Sequence, residues 1–256
     1  SDEETFYIFN EAKYQLKSGE KSFEYRDFTF GQESSWPDPK AFSDILKENN
    51  IKLILWQIPV IKHIEGSKNS QLCNDEQYAL EKKYCVMNDD GTPYRITDIW
   101  FNDSLVLDFT NPEAVKWWFE KRKYLLTELN VAGFKTDGGE FIYDSSAKFY
   151  NGMDGEEMHN LYPNIYIGAY NDFLKKYLGS GNGVTFSRAG FVGAQKYPIH
   201  WAGDQLSKFS ELRAQLTAGI SAGLSGILFW SFDIGGFAGE FPTTELYIRS
   251  VEFGAF

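Results

Sequence analysis

Three aspartates and one arginine each come directly after a short run of strand-forming residues. They are Asp137, Arg188, Asp204 and Asp233. The ends of parallel strands meet at one edge of a sheet, so these four side chains are expected to converge on one pocket. Two facing carboxyl groups can cleave a glycosidic bond, since one attacks the anomeric carbon while the other protonates the leaving oxygen. Like-charge coupling keeps one member of such a pair neutral, which the second role requires.

Each of the four residues also has a plain structural explanation. Asp137-Gly-Gly and Asp233-Ile-Gly-Gly are common turn sequences. Asp204 is suited to capping a helix, and Arg188 is suited to a structural ion pair. No single segment decides between structure and chemistry, but together they favour a site for glycoside hydrolysis.

Other kinds of chemistry lack the residues that they need. Cys73 and Cys85 form no CxxC pair, and His63, His159 and His200 are scattered, so a zinc site is not expected. The two cysteines are expected to be free thiols. The sequence has no GxGxxG fingerprint, no P-loop and no serine-nucleophile elbow. We therefore predict no metal and no cofactor.

The composition is that of one globular α/β domain spanning residues 1–256. The net charge of −11 argues against binding to nucleic acid, which requires clustered Lys and Arg. No run of about 18 apolar residues occurs, so no membrane span is predicted. Aromatic residues make up 17% of the chain, and composition alone favours a large core over sugar stacking for them. Residues 1–4 are acidic and lack a starting Met, so they are not expected to be a signal peptide; the N-terminus is expected to be cut from something longer, and no compartment is indicated.

Strand-like and helix-like segments alternate along the chain. Such alternation predicts a parallel sheet covered by helices. About five strands can be recognised, whereas a closed (β/α)8 barrel needs eight, so the predicted fold is an incomplete α/β TIM barrel. Residues 62–108 are predicted to form a long functional loop over one end of the sheet. The predicted helices cover about residues 38–49, 111–130, 156–178 and 208–224, and the predicted strands cover residues 51–59, 131–135, 183–187, 199–201 and 226–230.

The segments around the candidate residues resemble the motifs of glycoside hydrolase family 31, which contains α-glucosidases and α-xylosidases. The segment KTDGGE (135–140) resembles its nucleophile motif, and WAGD (201–204) resembles its acid/base motif. The segment WSFDIGGF (230–237) is similar to its W-x-H-D-I-G-G-F motif, and DFTNPEAVKWW (108–118) is similar to the stretch before the nucleophile strand. The resemblance runs through nearly the whole chain.

This resemblance implies a role for each site residue. Asp137 is implied to form a glycosyl-enzyme, Asp204 to act as general acid/base, and Glu140 to support them. Trp100 is implied to be an aromatic wall of the pocket. The residues implied to bind substrate are Trp100, Lys135, Arg188, Trp201, Asp233 and Phe237.

The resemblance also accounts for the number of strands. The chain corresponds to about strands three to seven of the family's barrel, so the remaining strands and the family's β-sandwich domains are implied to belong to a longer protein. The 256-residue piece alone is then expected to be inactive. Gly138 replaces a Phe or Met of many relatives, which implies a more open pocket on that side. Phe232 replaces a His.

The implied function is retaining hydrolysis of non-reducing terminal α-linked sugars, with an α-glucosidic oligosaccharide or glycoside as the expected partner. Activity on α-xylosides, α-galactosides or α-N-acetylgalactosaminides and transglucosylation are alternatives. A sulfoquinovosidase-like interpretation rests on residues 155–159 and 188–205, although that branch usually has Tyr in place of Phe237. A non-catalytic carbohydrate-binding relative is the alternative class, and the presence of both Asp137 and Asp204 argues against it.

Overall fold

The structure is a computed structural model that describes residues 13–14, 25–29, 37–66, 70–98, 100–197 and 199–255. The acidic residues 1–4 lie outside this part. Its strands are β1 (Lys13–Tyr14), β2 (Phe28–Thr29), β3 (Leu53–Gln57), β4 (Val60–Ile61), β5 (Met87–Asn88), β6 (Leu105–Val106), β7 (Val131–Thr136), β8 (Ala147–Lys148), β9 (Val184–Ser187), β10 (Ile199–Trp201) and β11 (Phe229–Ser231). Its α-helices are α1 (Pro39–Glu48), α2 (Ser70–Lys82), α3 (Pro112–Glu120), α4 (Lys123–Thr127), α5 (Gly155–Leu178), α6 (Phe209–Leu224) and α7 (Thr244–Ala255).

Five parallel strands form the central sheet, in the order β3-β7-β9-β10-β11. Each strand pairs in parallel with the next of the five along the chain. Helices connect three of the four pairs, and only the short 3-10 turn Ala194–Lys196 lies between β9 and β10. Within the described residues the sheet does not close, so this is an incomplete TIM barrel, as predicted. The carboxyl ends of all five strands lie at the same edge.

Side-chain caps explain where three of the helices begin. Asp38 accepts a hydrogen bond from the Ala41 N–H at the start of α1, and Asn111 accepts from two N–H groups of α3. Asp154 and Glu157 form a reciprocal capping box at the start of α5. Both α1 and α3 also have a proline in their first turn, where its missing N–H costs nothing. These caps agree with the predicted starts of the three helices.

The predicted helix over residues 111–130 is wrong in one respect, because the structure divides it into α3 and α4. The two cations at the break both find buried partners. Lys121 Nζ is bonded to the Asp75 carboxylate, and Arg122 Nε donates to Gln57 Oε1 at 2.6 Å. Burial lowers the pKa of Lys121 to about 8, although Asp75 opposes the shift. Tertiary pairing has overridden local helix propensity at this boundary.

The predicted loop over residues 62–108 contains regular structure. Helix α2 lies within it, and β4 pairs with β6 while β5 pairs with β8 beyond β7. Glu76 on α2 accepts from Arg95 at 3.0 Å and lies 3.0 Å from the His63 ring. A helix with such polar pairing carries only a weak apolar stripe, which is why periodicity did not reveal it.

One strand and two helices also differ from the prediction. The last strand, predicted over residues 226–230, is shorter and lies later, at β11. Helix α7 follows it and was not predicted. Helix α5 runs through Pro163 without a break in its assignment, although the sequence predicted a disturbance there. Within the described residues, no helix combines the length and the apolar character needed to cross a membrane.

Two hydrophobic cores of very different size support the sheet. The large core lies between the sheet and helices α3 to α5, and Phe134, Tyr166 and Tyr170 are fully buried in it. The small core consists of Leu212, Phe232 and Leu246. Neither cysteine is in a disulfide bond, as predicted; Cys73 is exposed, and burial raises the pKa of Cys85 to about 11.

Candidate active site

Asp137 lies directly after β7 in a turn made by two glycines. Gly138 and Gly139 have φ angles of 67° and 104°, which glycine adopts readily. Asp137 Oδ2 accepts from Trp56 Nε1 at 2.7 Å, and Oδ1 accepts from the Gly138 N–H at 2.8 Å. The Asp137 N–H donates to the Gln57 carbonyl at 2.9 Å. The predicted turn is therefore present, and it also holds the carboxylate rigidly.

Gly138 does not open the pocket on its side, contrary to the expectation from sequence. A Cβ atom at this position would lie 2.8 Å from the ring of Phe141 and 3.1 Å from Ile58 Cδ1. Phe141 therefore fills the space that a larger residue at position 138 would need. The glycine makes room for this packing, and its positive φ would strain any other residue there.

Arg188 follows β9 and reaches three carboxylates, two in the loop after β7 and one after β10. Its Nε donates to Glu140 Oε1 at 2.9 Å, and one terminal nitrogen lies 3.5 Å from Asp137 Oδ1 and 3.4 Å from Asp204 Oδ2. Because one nitrogen contacts both aspartates, those two oxygens lie at most 6.9 Å apart. Burial acts to lower the pKa of Arg188, but the three carboxylates outweigh it and raise that pKa.

Asp204 follows β10 and does not cap a helix, since the cap residue of α6 is Lys208. The Asp204 side chain is 47% exposed. Three residues before Asp204, Trp201 is buried, and the Lys135 ammonium lies 4.3 Å from the centre of the Trp201 ring. Strand pairing has brought Lys135 and Trp201 together across β9, where Phe186 packs edge-on against Trp201. These predicted residues thus lie beside the two carboxylates.

Asp233 follows β11 and completes the group of carboxylates. Burial raises its pKa, the Lys135 ammonium opposes this, and the negative charges of Asp204 and Asp137 raise it further. Asp233 is therefore near enough to Lys135, Asp137 and Asp204 for their charges to act on it. The neighbouring Phe232 points elsewhere, into the small core.

The other two aromatic residues predicted to bind substrate, Trp100 and Phe237, lie in different surroundings. The Trp100 ring centre is 4.6 Å from the Arg188 guanidinium, and Trp100 also packs against Phe101 and Phe141. Phe237 is 64% exposed and stands in the loop after β11. Trp100 is therefore a wall beside the carboxylates, whereas Phe237 lies open to solvent.

The sequence analysis missed Trp56, whose indole N–H holds the Asp137 carboxylate. The signal was present in the alternation of strand residues, because Trp56 pairs in register with Lys135 on β7 and so faces the same side of the sheet. Trp56 could have been found by looking for an aromatic residue near the end of the strand that pairs with the Asp137 strand.

A buried polar network lies behind Asp137, on the side of the sheet that the helices cover. Gln57 Oε1 accepts from Arg122 and from the Tyr170 hydroxyl at 2.8 Å. The Gln57 carbonyl accepts from the Tyr166 hydroxyl at 3.1 Å as well as from the Asp137 N–H. These bonds satisfy the buried polar groups and fix the main chain at Asp137. No group of three or more His, Cys, Asp or Glu side chains in the described part of the chain is arranged to hold a metal ion.

Comparison with known proteins places the chain in a family. The family model described as "Glycosyl hydrolases family 31 TIM-barrel domain" matches residues 7–256. The chain is 46% identical to the isomaltosyltransferase of Sporosarcina globispora. The alignment covers 100% of this chain and 23% of that protein. The chain belongs to glycoside hydrolase family 31.

Solved structures of two relatives have the same fold. The cycloalternan-forming enzyme from Listeria monocytogenes, in complex with a pentasaccharide substrate, superposes with a TM-score of 0.89 and 44% identity over 99% of this chain. The cycloalternan-degrading enzyme from Trueperella pyogenes, in complex with a covalent intermediate, gives a TM-score of 0.88 and 40% identity over 98% of it. The chain spans 24% and 34% of these two proteins. It is thus about a quarter to a third of the length of its relatives.

Proposed function

We propose that residues 1–256 are part of the (β/α)8 catalytic domain of a retaining α-glycosidase, with Asp137 as nucleophile and Asp204 as general acid/base. The observation that carries this proposal is the position of Arg188, whose guanidinium contacts both carboxylates although they follow different strands. The two oxygens lie at most 6.9 Å apart. This distance allows the carboxyl separation of roughly 5–5.5 Å found in retaining enzymes, whereas most of the separation of roughly 6.5–9.5 Å found in inverting enzymes is longer.

The reaction then takes two steps. In the first, an Asp137 oxygen forms a bond to the anomeric carbon while the glycosidic C–O bond breaks, and the Asp204 proton moves to the leaving oxygen. In the second, the Asp204 carboxylate takes a proton from an incoming water molecule. The water oxygen bonds to the anomeric carbon, and the bond between that carbon and Asp137 breaks. The bonds from Trp56 and Gly138 hold the nucleophile for in-line attack.

The open position of Asp204 is consistent with its role, because the acid must contact the leaving group in the first step and the incoming water in the second. Asp233 and Lys135 would bind hydroxyl groups of the cleaved sugar, Trp100, Trp201 and Phe237 would provide apolar contacts, and Glu140 would hold Arg188. The covalent intermediate named for the Trueperella relative supports a glycosyl-enzyme here as well.

For the substrate, we propose an α-glucosidic oligosaccharide that contains isomaltosyl units. The 46% identity to an isomaltosyltransferase supports this choice, as do the cycloalternan-forming and cycloalternan-degrading enzymes. The isomaltosyltransferase also favours a second candidate, in which a sugar hydroxyl replaces water in the second step. The rest of the barrel and further domains in a full-length protein would complete the site, so the 256-residue piece alone should be inactive.

The test is a panel of p-nitrophenyl α-glycosides and isomaltose-containing oligosaccharides with the full-length protein. Asp137→Asn should lower kcat at least about 10⁴-fold while sugar binding, measured by calorimetry, survives. Unchanged turnover in this variant would remove the nucleophile assignment.

The second arm of the test concerns the acid. Asp204→Ala should lower kcat strongly for oligosaccharides and only weakly for aryl glycosides, because an activated leaving group needs little protonation. Equal losses on both kinds of substrate would contradict the assignment of Asp204. Product analysis by chromatography separates hydrolysis from transfer.

A further inference from the structure

The loops that carry Asp204 and Asp233 are joined by one buried side chain, Gln205. It is 7% exposed, and its Nε2 donates to the Asp233 carbonyl at 2.7 Å. The Gln205 carbonyl accepts from the N–H groups of Phe237 at 2.9 Å and Ala238 at 3.1 Å. The residue next to Asp204 therefore holds the loop of Asp233 at three points.

Backbone contacts continue this connection on both sides. Leu206 pairs with Ala238 in a parallel bridge, and the Ser207 N–H donates to the Ala238 carbonyl at 3.0 Å. A Cβ atom on Gly236 would lie only 2.6 Å from Ser207 Cα. The two loops thus touch at a distance that only glycine permits, so a shift of one must move the other.

Gln205 is also a costly residue to bury. Its Oε1 is buried and accepts no hydrogen bond from any described residue. An apolar side chain of the same length would avoid an unpaired buried acceptor. The amide is therefore better explained by its bond to the Asp233 loop than by stability.

We infer that Gln205 is a positioning residue for the general acid. It couples Asp204 to the loop of Asp233, so that a sugar bound at Asp233 also sets the acid against the leaving oxygen. This inference rests on the proposed function of Asp204.

The test is Gln205→Leu in the full-length protein. Leucine keeps the bulk of the side chain and removes both the Nε2 donor and the unpaired Oε1. Because proton donation is impaired, kcat should fall about 10- to 100-fold on oligosaccharides and less than about 3-fold on p-nitrophenyl glycosides, with KM for both nearly unchanged. Gln215→Leu is the matched control, since Gln215 is also buried but lies on α6; it should show no difference between the two kinds of substrate.

A second variant perturbs the same contact without touching Gln205. Gly236→Ala should push the two loops apart and give the same dependence on the leaving group. Gly181→Ala is its control, because Gly181 also has a positive φ but has no atom within 4 Å of its Cβ position. Equal losses on both substrates, or no loss, in Gln205→Leu would overturn the inference if Asp204→Ala shows the leaving-group dependence. If Asp204→Ala itself lacks that dependence, the assignment of the acid fails and the inference fails with it.

Discussion

Asp137 and Asp204 follow strands of one sheet, yet their surroundings differ. The Asp137 side chain is 11% exposed, accepts hydrogen bonds from Trp56 and Gly138, and lies in front of the large core. The Asp204 side chain is 47% exposed, and the loop beside it leads to the small core. The difference matches the two proposed tasks, because the nucleophile must be held in place against the sugar, whereas the acid/base must be reached first by the leaving group and then by the incoming water or sugar hydroxyl.

The largest effect expected from this contrast is on stability. Phe134→Ala, behind Asp137, should lower the free energy of unfolding by about 3–5 kcal/mol, because it leaves a cavity in a densely packed core. Phe232→Ala, in the small core near Asp233, should cost at least about 1 kcal/mol less if the remaining strands of the barrel add no packing around it. Urea unfolding of the full-length protein measures both. Equal losses would show that the small core is as well supported as the large one.

Removal of the shared cation should have the next largest effect, on activity. Arg188→Met leaves the carboxylates of Asp137, Glu140 and Asp204 without their common partner, so kcat/KM should fall by roughly two to three orders of magnitude. Arg188→Lys should rescue little, since a single ammonium cannot reach three carboxylates as the planar guanidinium does. Near wild-type activity in the lysine variant would mean that charge alone suffices.

A smaller effect is expected from the network behind the nucleophile. Tyr166→Phe should lower the free energy of unfolding by about 1 kcal/mol, because it loses one buried hydrogen bond. Tyr170→Phe should lower it by about 2 kcal/mol, because the Tyr170 hydroxyl donates to Gln57 Oε1 and also accepts from Trp118 Nε1. Only Tyr166→Phe should also lower kcat, since its hydroxyl shares the Gln57 carbonyl with the Asp137 N–H. The comparison of kcat in these two matched variants measures how far main-chain rigidity serves the nucleophile. A fall in kcat for Tyr170→Phe alone would reverse this assignment.

The smallest effect concerns the pH dependence of binding. Lys135 opposes the rise in the pKa of Asp233 that burial causes, so Lys135→Met should let this pKa rise further. The ionised Asp233 carboxylate accepts stronger hydrogen bonds from hydroxyl groups than the protonated acid does. Sugar affinity should therefore be lost at a higher pH as the solution is acidified, with a midpoint up to about one unit above that of wild type. Calorimetric titrations in the Asp137→Asn background isolate binding, and a lower midpoint would contradict the prediction.

Much of the fold followed from local signals in the sequence. Asp38, Asn111 and Asp154 cap helices at the predicted starts, and the five parallel strands appeared as apolar runs. The predictions failed where distant partners set the structure. The break at Lys121 and Arg122 depends on Asp75 and Gln57. The inner face of α2 mixes the buried Leu72 and Ala79 with the ion-paired Glu76, which weakens its apolar periodicity.

The candidate catalytic and binding residues could be predicted from their positions after strands, whereas the residues that support them could not. Asp137, Arg188, Asp204 and Asp233 all follow strands, and parallel strands bring such residues together regardless of loop details. Trp56 was overlooked because it resembles an ordinary core aromatic in a strand. The roles of Gln205 and Tyr166 depend on single hydrogen bonds over long sequence separations, which composition and spacing do not encode.

The pocket's charge balance has a consequence for inhibitors. Its four carboxyl groups share only two cations among the described residues, Arg188 and Lys135. The remaining negative potential favours a ring that becomes positively charged, such as the oxocarbenium-like centre of a glycosyl transfer. Protonated iminosugars should therefore bind more tightly than neutral sugars of the same shape, and sugars that carry a sulfonate should be repelled.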